Sequence, residues 1–290
     1  MYKRLQVFIF LILACGMLYL INCVSSPTEP GFQEDLIING YLVVGHGVDS
    51  IFVSKSLPIA EPYDDTQAAV SGASVMISAD GHSYRLLEYD DTPGAYYLHE
   101  DTLTITPGKQ YDLEVRVEDK VLRSSTVAPE QVHIVSLNND TAYYPYPESS
   151  MSPRFQITWN PTEHTAAYDI SIIAKPPYEL VDFGMEKLVE SILEEYDNDT
   201  LRAFRPVHDF PVNNNQTSAE ISWYAFSYYG DYTIKLYAID ENLWDLVACN
   251  VVYTPQSSEF EQPVFNIEGG LGIFAAVSVD SVHAFVKRQE

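Results

Sequence analysis

The chain has 290 residues, 46% of them hydrophobic and 20% charged, a balance that suits a folded protein and excludes a disordered one. Its 41 Asp and Glu outnumber its 16 Lys and Arg, giving a formal net charge of −25. That excess repels phosphate backbones and argues against a nucleic-acid partner.

Residues 1–22 read as an export leader. Lys3 and Arg4 open it, an uncharged apolar run fills residues 5–21, and Asn22 leads into Cys23. A positive end, an apolar middle and a processing position are the parts of a secretory signal. After Cys23 the chain turns polar at Ser25, Ser26 and Pro27, as a linker over residues 23–35. The order looks like a bacterial lipoprotein signal, in which the Cys thiol is acylated and becomes the new N-terminus. Cys15, preceded by Ile12, Leu13 and Ala14, is the alternative lipid-attachment position. Cleavage there would leave the apolar residues 17–21 outside the folded part, which favours Cys23. An uncleaved anchor is the competing reading, although the run falls slightly short of the roughly 20 apolar residues that span a bilayer. The remaining cysteine is Cys249, so no disulfide is expected in the processed chain, and CxxC and CxxH pairs are absent.

Two β modules follow. In residues 36–129, Tyr111, Leu113, Val115 and Val117 alternate with Asp112, Glu114, Arg116 and Glu118, the period of a half-buried strand. Ala73, Val75 and Ile77 repeat that period, and residues 36–44 and 51–53 supply further strands. Asp80-Gly81, Pro93-Gly94 and Pro107-Gly108 mark turns between them, a pattern that predicts a sandwich. In residues 130–290, Phe155, Ile157 and Trp159 alternate, then Tyr168, Ile170 and Ile172, then Tyr232, Ile234, Leu236 and Ala238. This order is similar to a fibronectin type III sandwich, with the Trp between the sheets and Tyr232 anchoring a corner through its hydroxyl. The expected fold is therefore mainly β, with two Ig-like or fibronectin III-like sandwiches. Met185, Leu188, Val189, Ile192, Leu193 and Tyr196 form one apolar stripe, which predicts an amphipathic helix inserted at about 182–197. It either covers an open sheet face or docks a partner.

Three stretches carry a family resemblance. They are the opening strand with Asn39-Gly40-Tyr41, the Ser71-Gly72-Ala73 turn with Pro107-Gly108-Lys109, and Asn266-Ile267-Glu268-Gly269-Gly270-Leu271-Gly272-Ile273-Phe274. With them the layout resembles the domain-of-unknown-function 4249 family, envelope lipoproteins of certain Gram-negative bacteria. The middle stretch also looks like carboxypeptidase-regulatory or transthyretin-like sandwiches. The resemblance implies a lipid-anchored place in the outer membrane near a TonB-dependent receptor, and no particular reaction. Val24 stands where Asp would signal inner-membrane retention, which favours the outer membrane.

No catalytic constellation is predicted. GxSxG, HExxH and Walker patterns are absent, and no two of the seven His stand at i, i+3 or i, i+4, so no catalytic residue, metal or cofactor is expected. Gly269, Gly270 and Gly272 precede a strand-like run and are expected to form a turn or bulge rather than a phosphate cradle. The acidic runs Asp64-Asp65, Asp90-Asp91 and Asp197-Asn198-Asp199 read as turns, lacking a full calcium-ligand pattern. The candidate binding surface is the aromatic cluster Trp223, Tyr224, Phe226, Tyr228 and Tyr229, unless a two-sided buried strand holds it. The expected function is a non-enzymatic accessory or binding lipoprotein. A carbohydrate-binding or carbohydrate-active surface protein and a structural spacer are the alternatives, and the ligand is not specified by the sequence.

Overall fold

Alternating sequence becomes strand throughout the part of the chain that the computed structural model describes: residues 32–58, 62–99, 101–145, 154–181, 207–251 and 264–288. The leader with Cys15 and Cys23, and the helix expected at 182–197, lie outside the described residues. The first module holds β1 (Leu36–Val43), β2 (Val48–Lys55), β3 (Ser74–Ala79), β4 (His82–Arg85), β5 (Leu87–Glu88), β6 (Ala95–Leu98), β7 (Gln110–Val117) and β8 (Lys120–Val127). The second holds β9 (Ile134–Leu137), β10 (Thr141–Tyr143), β11 (Phe155–Trp159), β12 (Ala167–Ala174), β13 (Glu179–Leu180), β14 (Val207–Asn213), β15 (Ser218–Ile221) and β16 (Tyr228–Ile239). A helix at Glu241–Val251 and the long β17 (Leu271–Lys287) complete it.

The protein is mainly β and sandwich-like. One large sheet runs in the order β14, β12, β16, β17, β1, β2, β6, β5, with β10 beside β17 and β13 beside β16. A four-stranded sheet, β4, β3, β7, β8, accompanies one half of it, and a three-stranded sheet, β15, β11, β9, the other. Burying the apolar faces of these layers gives two cores. The first gathers Ile38, Leu42, Ile51, Val75, Ile77, Tyr111 and Val115, the second Phe155, Ile157, Trp159, Tyr168, Ile170, Phe226 and Ile234.

β17 belongs to both. Its residues 271–277 pair in parallel with β1, and its residues 277–286 pair antiparallel with β16 on the opposite edge. Phe274 and Ala276 therefore enter the first core, while Ala284 and Val286 enter the second. The boundary expected at residue 130 is incomplete in this respect, because the chain returns to the first core before it ends. Residues 273–278 are all buried. A stretch buried on both faces shows no alternation from which its sheet could be read.

Where β17 changes partner, each half leaves a free backbone edge, and polar side chains occupy it. Asn266 brackets Phe274, its Oδ1 accepting from the Phe274 amide at 2.9 Å and its Nδ2 donating to the Phe274 carbonyl at 2.7 Å. Asp240, 3% exposed, accepts from the Ala276 amide at 3.1 Å, from the Leu243 amide at 2.9 Å and from the Thr126 hydroxyl. The buried Ser278 accepts from the Val132 amide at 3.1 Å and donates to the Glu130 carbonyl at 2.8 Å. These bonds tie β8, the helix at Glu241–Val251 and the start of the second module to one strand.

The glycine motif serves the same junction. Glu268 bridges to Arg123 of β8, and β17 begins three residues later beside β1, so the segment crosses from one sheet to the other. Gly272 has φ +105°, and a Cβ there would stand 1.9 Å from the Ile38 carbonyl oxygen. Only glycine allows that approach. The run enters a strand, as the sequence led us to expect, and offers no helix N-terminus.

Candidate functional site

Buried tyrosines explain much of the aromatic content. Tyr232 sits 1% exposed at the start of β16; its hydroxyl accepts from the Tyr228 amide and donates to the Tyr228 carbonyl, each at 2.8 Å. This is the expected corner, and burial pushes the phenol well above its ordinary pKa. Tyr96 does the same in the first module, accepting from Ala73 at 2.8 Å and donating to the Val70 carbonyl at 2.9 Å. Tyr111 and Tyr168 accept from the Thr106 and Thr162 amides at 2.7 and 2.9 Å. Each ring fills a core while its oxygen bonds backbone groups, of a neighbouring loop for Tyr96, Tyr111 and Tyr168 and of the first residue of its own strand for Tyr232.

The aromatic cluster expected to form a binding surface is mostly core. Phe226, Tyr228 and Tyr229 are buried, and Trp223 packs among Tyr144, Phe155 and Phe226 with ring centroids 5.5, 5.8 and 5.6 Å away. Only Tyr224 of the five stands free, 80% exposed on the short 3-10 turn Trp223–Ala225. The platform reading is corrected for the other four. Trp159 likewise lies between the sheets, against Tyr168 at 5.2 Å.

An exposed aromatic group exists elsewhere, at the rim of the first module. β5 and β6 are joined by the turn through Asp90, Asp91, Pro93 and Gly94, where Gly94 takes φ +77°. Leu87 pairs with Tyr97, and the Tyr89 amide donates to the Ala95 carbonyl. Tyr89 and Tyr97 are thus diagonal neighbours on one face, close enough for large side chains to meet. Their rings stack at 4.2 Å with 26° between planes. His99 follows Tyr97 by two, on the same face, and meets it edge to face at 5.1 Å and 83°. The Tyr89 hydroxyl donates to the Asp49 carbonyl at 2.9 Å, which fixes the outer ring to β2.

These rings border an open cleft of about 450 Å³ lined by Gly47, Val48, Asp49, Tyr89, Tyr97, Leu98, His99 and Asp101. Sequence reasoning passed over it because Tyr89 and Tyr97 are eight residues apart. The signal was available: a turn flanked by tyrosines at positions that a tight hairpin brings to one face. The cleft has the size to hold a small ligand beside aromatic and acidic residues.

Two other clefts differ in character. One, between the modules, is lined by Gln110, His164, Asn214, Asp240, Asn242 and Asp245. Its buried Asp240 is already committed to the bonds described above. The other lies near Lys175, Glu179, Asp231 and Arg288, where Arg288 pairs with Glu179 at 3.1 Å and covers the Tyr229 ring at 4.9 Å. On the sheet, burial first and the Asp209 charge second push the Asp169 carboxyl up to about 6. Among the described residues no group of three or more His, Cys, Asp or Glu could hold a metal ion, and no helix is long and apolar enough to cross a membrane.

Three solved structures show distant likenesses. The chicken CNTN1 FN1–FN3 domains match at 12% identity over 70% of this chain, which spans 57% of that one, with a TM-score of 0.25. A two-domain fibronectin type III segment of chicken tenascin matches at 10% identity over 71% of this chain and 90% of that one, with a TM-score of 0.21. A bacterial ice-binding adhesin matches at 8% identity over 89% and 65%, with a TM-score of 0.24. Likenesses this loose decide nothing about function. No curated protein matches the chain. The family model described as a domain of unknown function, DUF4249, matches residues 23–282, from Cys23 into β17, and the chain belongs to that family.

Proposed function

We propose that the chain is a non-enzymatic outer-membrane lipoprotein, anchored through acylated Cys23, that serves as an accessory or binding module beside a TonB-dependent uptake system. The leader supports anchoring, and the family match begins at Cys23, the residue that would become the new N-terminus. More than one acyl chain is needed for a stable hold, since one gives only marginal membrane binding.

The observation that carries the binding role is the Tyr89–Tyr97–His99 group, in which Tyr89 and His99 are exposed and Tyr97 is half-buried, and its position. The linker enters at Leu36, and β1 then runs eight residues toward the turn that lines the cleft. At about 3.3 Å per residue, the strand carries the cleft roughly 23 Å from Leu36, where the linker ends. A second reading, a carbohydrate-binding surface protein, draws on the same open Tyr rings.

Metabolic labelling with a fatty-acid probe tests the anchor. The wild-type chain incorporates label and fractionates with the outer membrane, and Cys23→Ala abolishes both. Unlabelled wild type, or unchanged labelling of Cys23→Ala, overturns the assignment. Pull-down of the labelled protein from detergent-solubilised envelopes then tests its association with a TonB-dependent receptor.

A further inference from the structure

We infer that the cleft bordered by Tyr89, Tyr97 and His99 binds a compact alkylammonium group, held over the Tyr rings and neutralised by Asp49 and Asp101. This names the ligand chemistry of the binding module and rests on that reading of the cleft.

Four observations converge. The ring walls are fixed: Tyr89 is held by its bond to the Asp49 carbonyl, and Tyr97 stacks on Tyr89 and meets His99 edge to face. Stacked and perpendicular rings make a corner rather than a flat platform, so a compact group touches more than one aromatic wall. The lining residues include two acidic ones, Asp49 and Asp101, and neither Lys nor Arg. The cleft volume, about 450 Å³, lies in the range of small-ligand sites.

The chemistry follows from the electrostatics of the parts. An aromatic face carries negative quadrupole density and attracts a cation, an attraction that strengthens as the cation loses water. A quaternary or tertiary ammonium is weakly hydrated and gives up little on entering. The net charge of −25 enriches cations around the whole molecule, and the two Asp focus that preference on the cleft. A neutral sugar could stack on one ring and donate hydrogen bonds to a carboxylate, but it would not feel the long-range attraction that the acidic surface exerts on a cation.

The test uses the full chain in a non-ionic detergent, titrated with choline by ligand-observed NMR. Its neutral isostere 3,3-dimethylbutan-1-ol and the sugar maltose serve as parallel probes. The expected result is saturable choline binding, weakened by added salt, with the neutral isostere clearly weaker. Tyr97→Ala should reduce choline affinity roughly 2- to 30-fold, the range of one cation–π contact, while Tyr97→Phe, which keeps the ring, retains it. Asp49→Asn provides a second variant at an exposed position, and circular dichroism establishes that each variant is folded. Equal binding of choline and the neutral isostere overturns the inference. Binding of maltose without choline overturns the ammonium assignment and leaves the cleft a binding site. Absence of binding by all three probes overturns the inference and the binding role of the cleft together.

Discussion

Two aromatic groups of similar size have opposite fates in this molecule. Trp223, Phe226, Tyr228 and Tyr229 are consecutive or nearly so, and their side chains close the second core. Tyr89, Tyr97 and His99 are scattered over a hairpin at the last strands of the large sheet, where Tyr89 and His99 are exposed and Tyr97 is half-buried. Density of aromatics along a sequence therefore says little about exposure. What decides is whether a second layer covers the face: β11 and β15 lie over the first group, whereas β5 ends the sheet beside the second. A contiguous cluster fills a core from one strand start. A recognition surface is assembled by the register between strands.

The largest expected effect separates the two groups directly. Phe226→Ala, at a site with no exposure, should cost about 3–5 kcal/mol in urea unfolding, whereas Tyr97→Ala should cost about 1 kcal/mol or less. Comparable losses at the two sites would break the comparison.

Next comes the strand that joins the two regions. Gly272→Ala places a Cβ against the Ile38 carbonyl and should cost at least about 3 kcal/mol. Gly45 also has a positive φ, +83°, but nothing lies within 4 Å of its Cβ position, so Gly45→Ala should cost only about 1 kcal/mol. Thermal unfolding of Gly272→Ala should perturb the fluorescence of Trp159 in the second core as well as β1 pairing, since β17 serves both. Loss confined to one module would show that the shared strand does not couple them.

The buried tyrosine latch gives a smaller effect. Tyr232→Phe removes one oxygen that serves both polar groups of Tyr228 and should cost about 1–3 kcal/mol. Tyr224→Ala, 80% exposed on the adjacent turn, should stay within about 0.5 kcal/mol of wild type.

The smallest effect is a gain. Asp169 has a folded-state pKa raised to about 6 from 3.8, so its protonated form is favoured in the fold. Its contribution to stability is fully present below about pH 4, falls as pH rises toward 6, and is constant above. Asp169→Asn should therefore raise stability at pH 7 by about 1–2 kcal/mol, allowing for its partial solvent contact, and have little effect at pH 3.5. Urea titrations at both pH values check the sign.

Much of the strand framework was legible in the sequence. The alternations at Tyr111–Val117, Phe155–Trp159 and Tyr232–Ala238 reappear with their apolar members buried, or half-buried at Val117, because one face of each meets a core. The Tyr232 corner was legible for the same reason, as was the strand after Gly272. What stayed hidden depends on partners. β17 is buried on both faces at residues 273–278, so no period betrays its switch from β1 to β16. The cleft stayed hidden because Tyr89 and Tyr97 become neighbours only once β5 and β6 pair in one particular register.

The measurement that bears most directly on the central claim is choline saturation of Tyr97→Ala and Phe226→Ala side by side, at a temperature where both remain folded. The account predicts that Phe226→Ala binds as wild type does despite its lower unfolding temperature, and that Tyr97→Ala loses affinity while melting near wild type. Lost binding in Phe226→Ala with retained binding in Tyr97→Ala would contradict it.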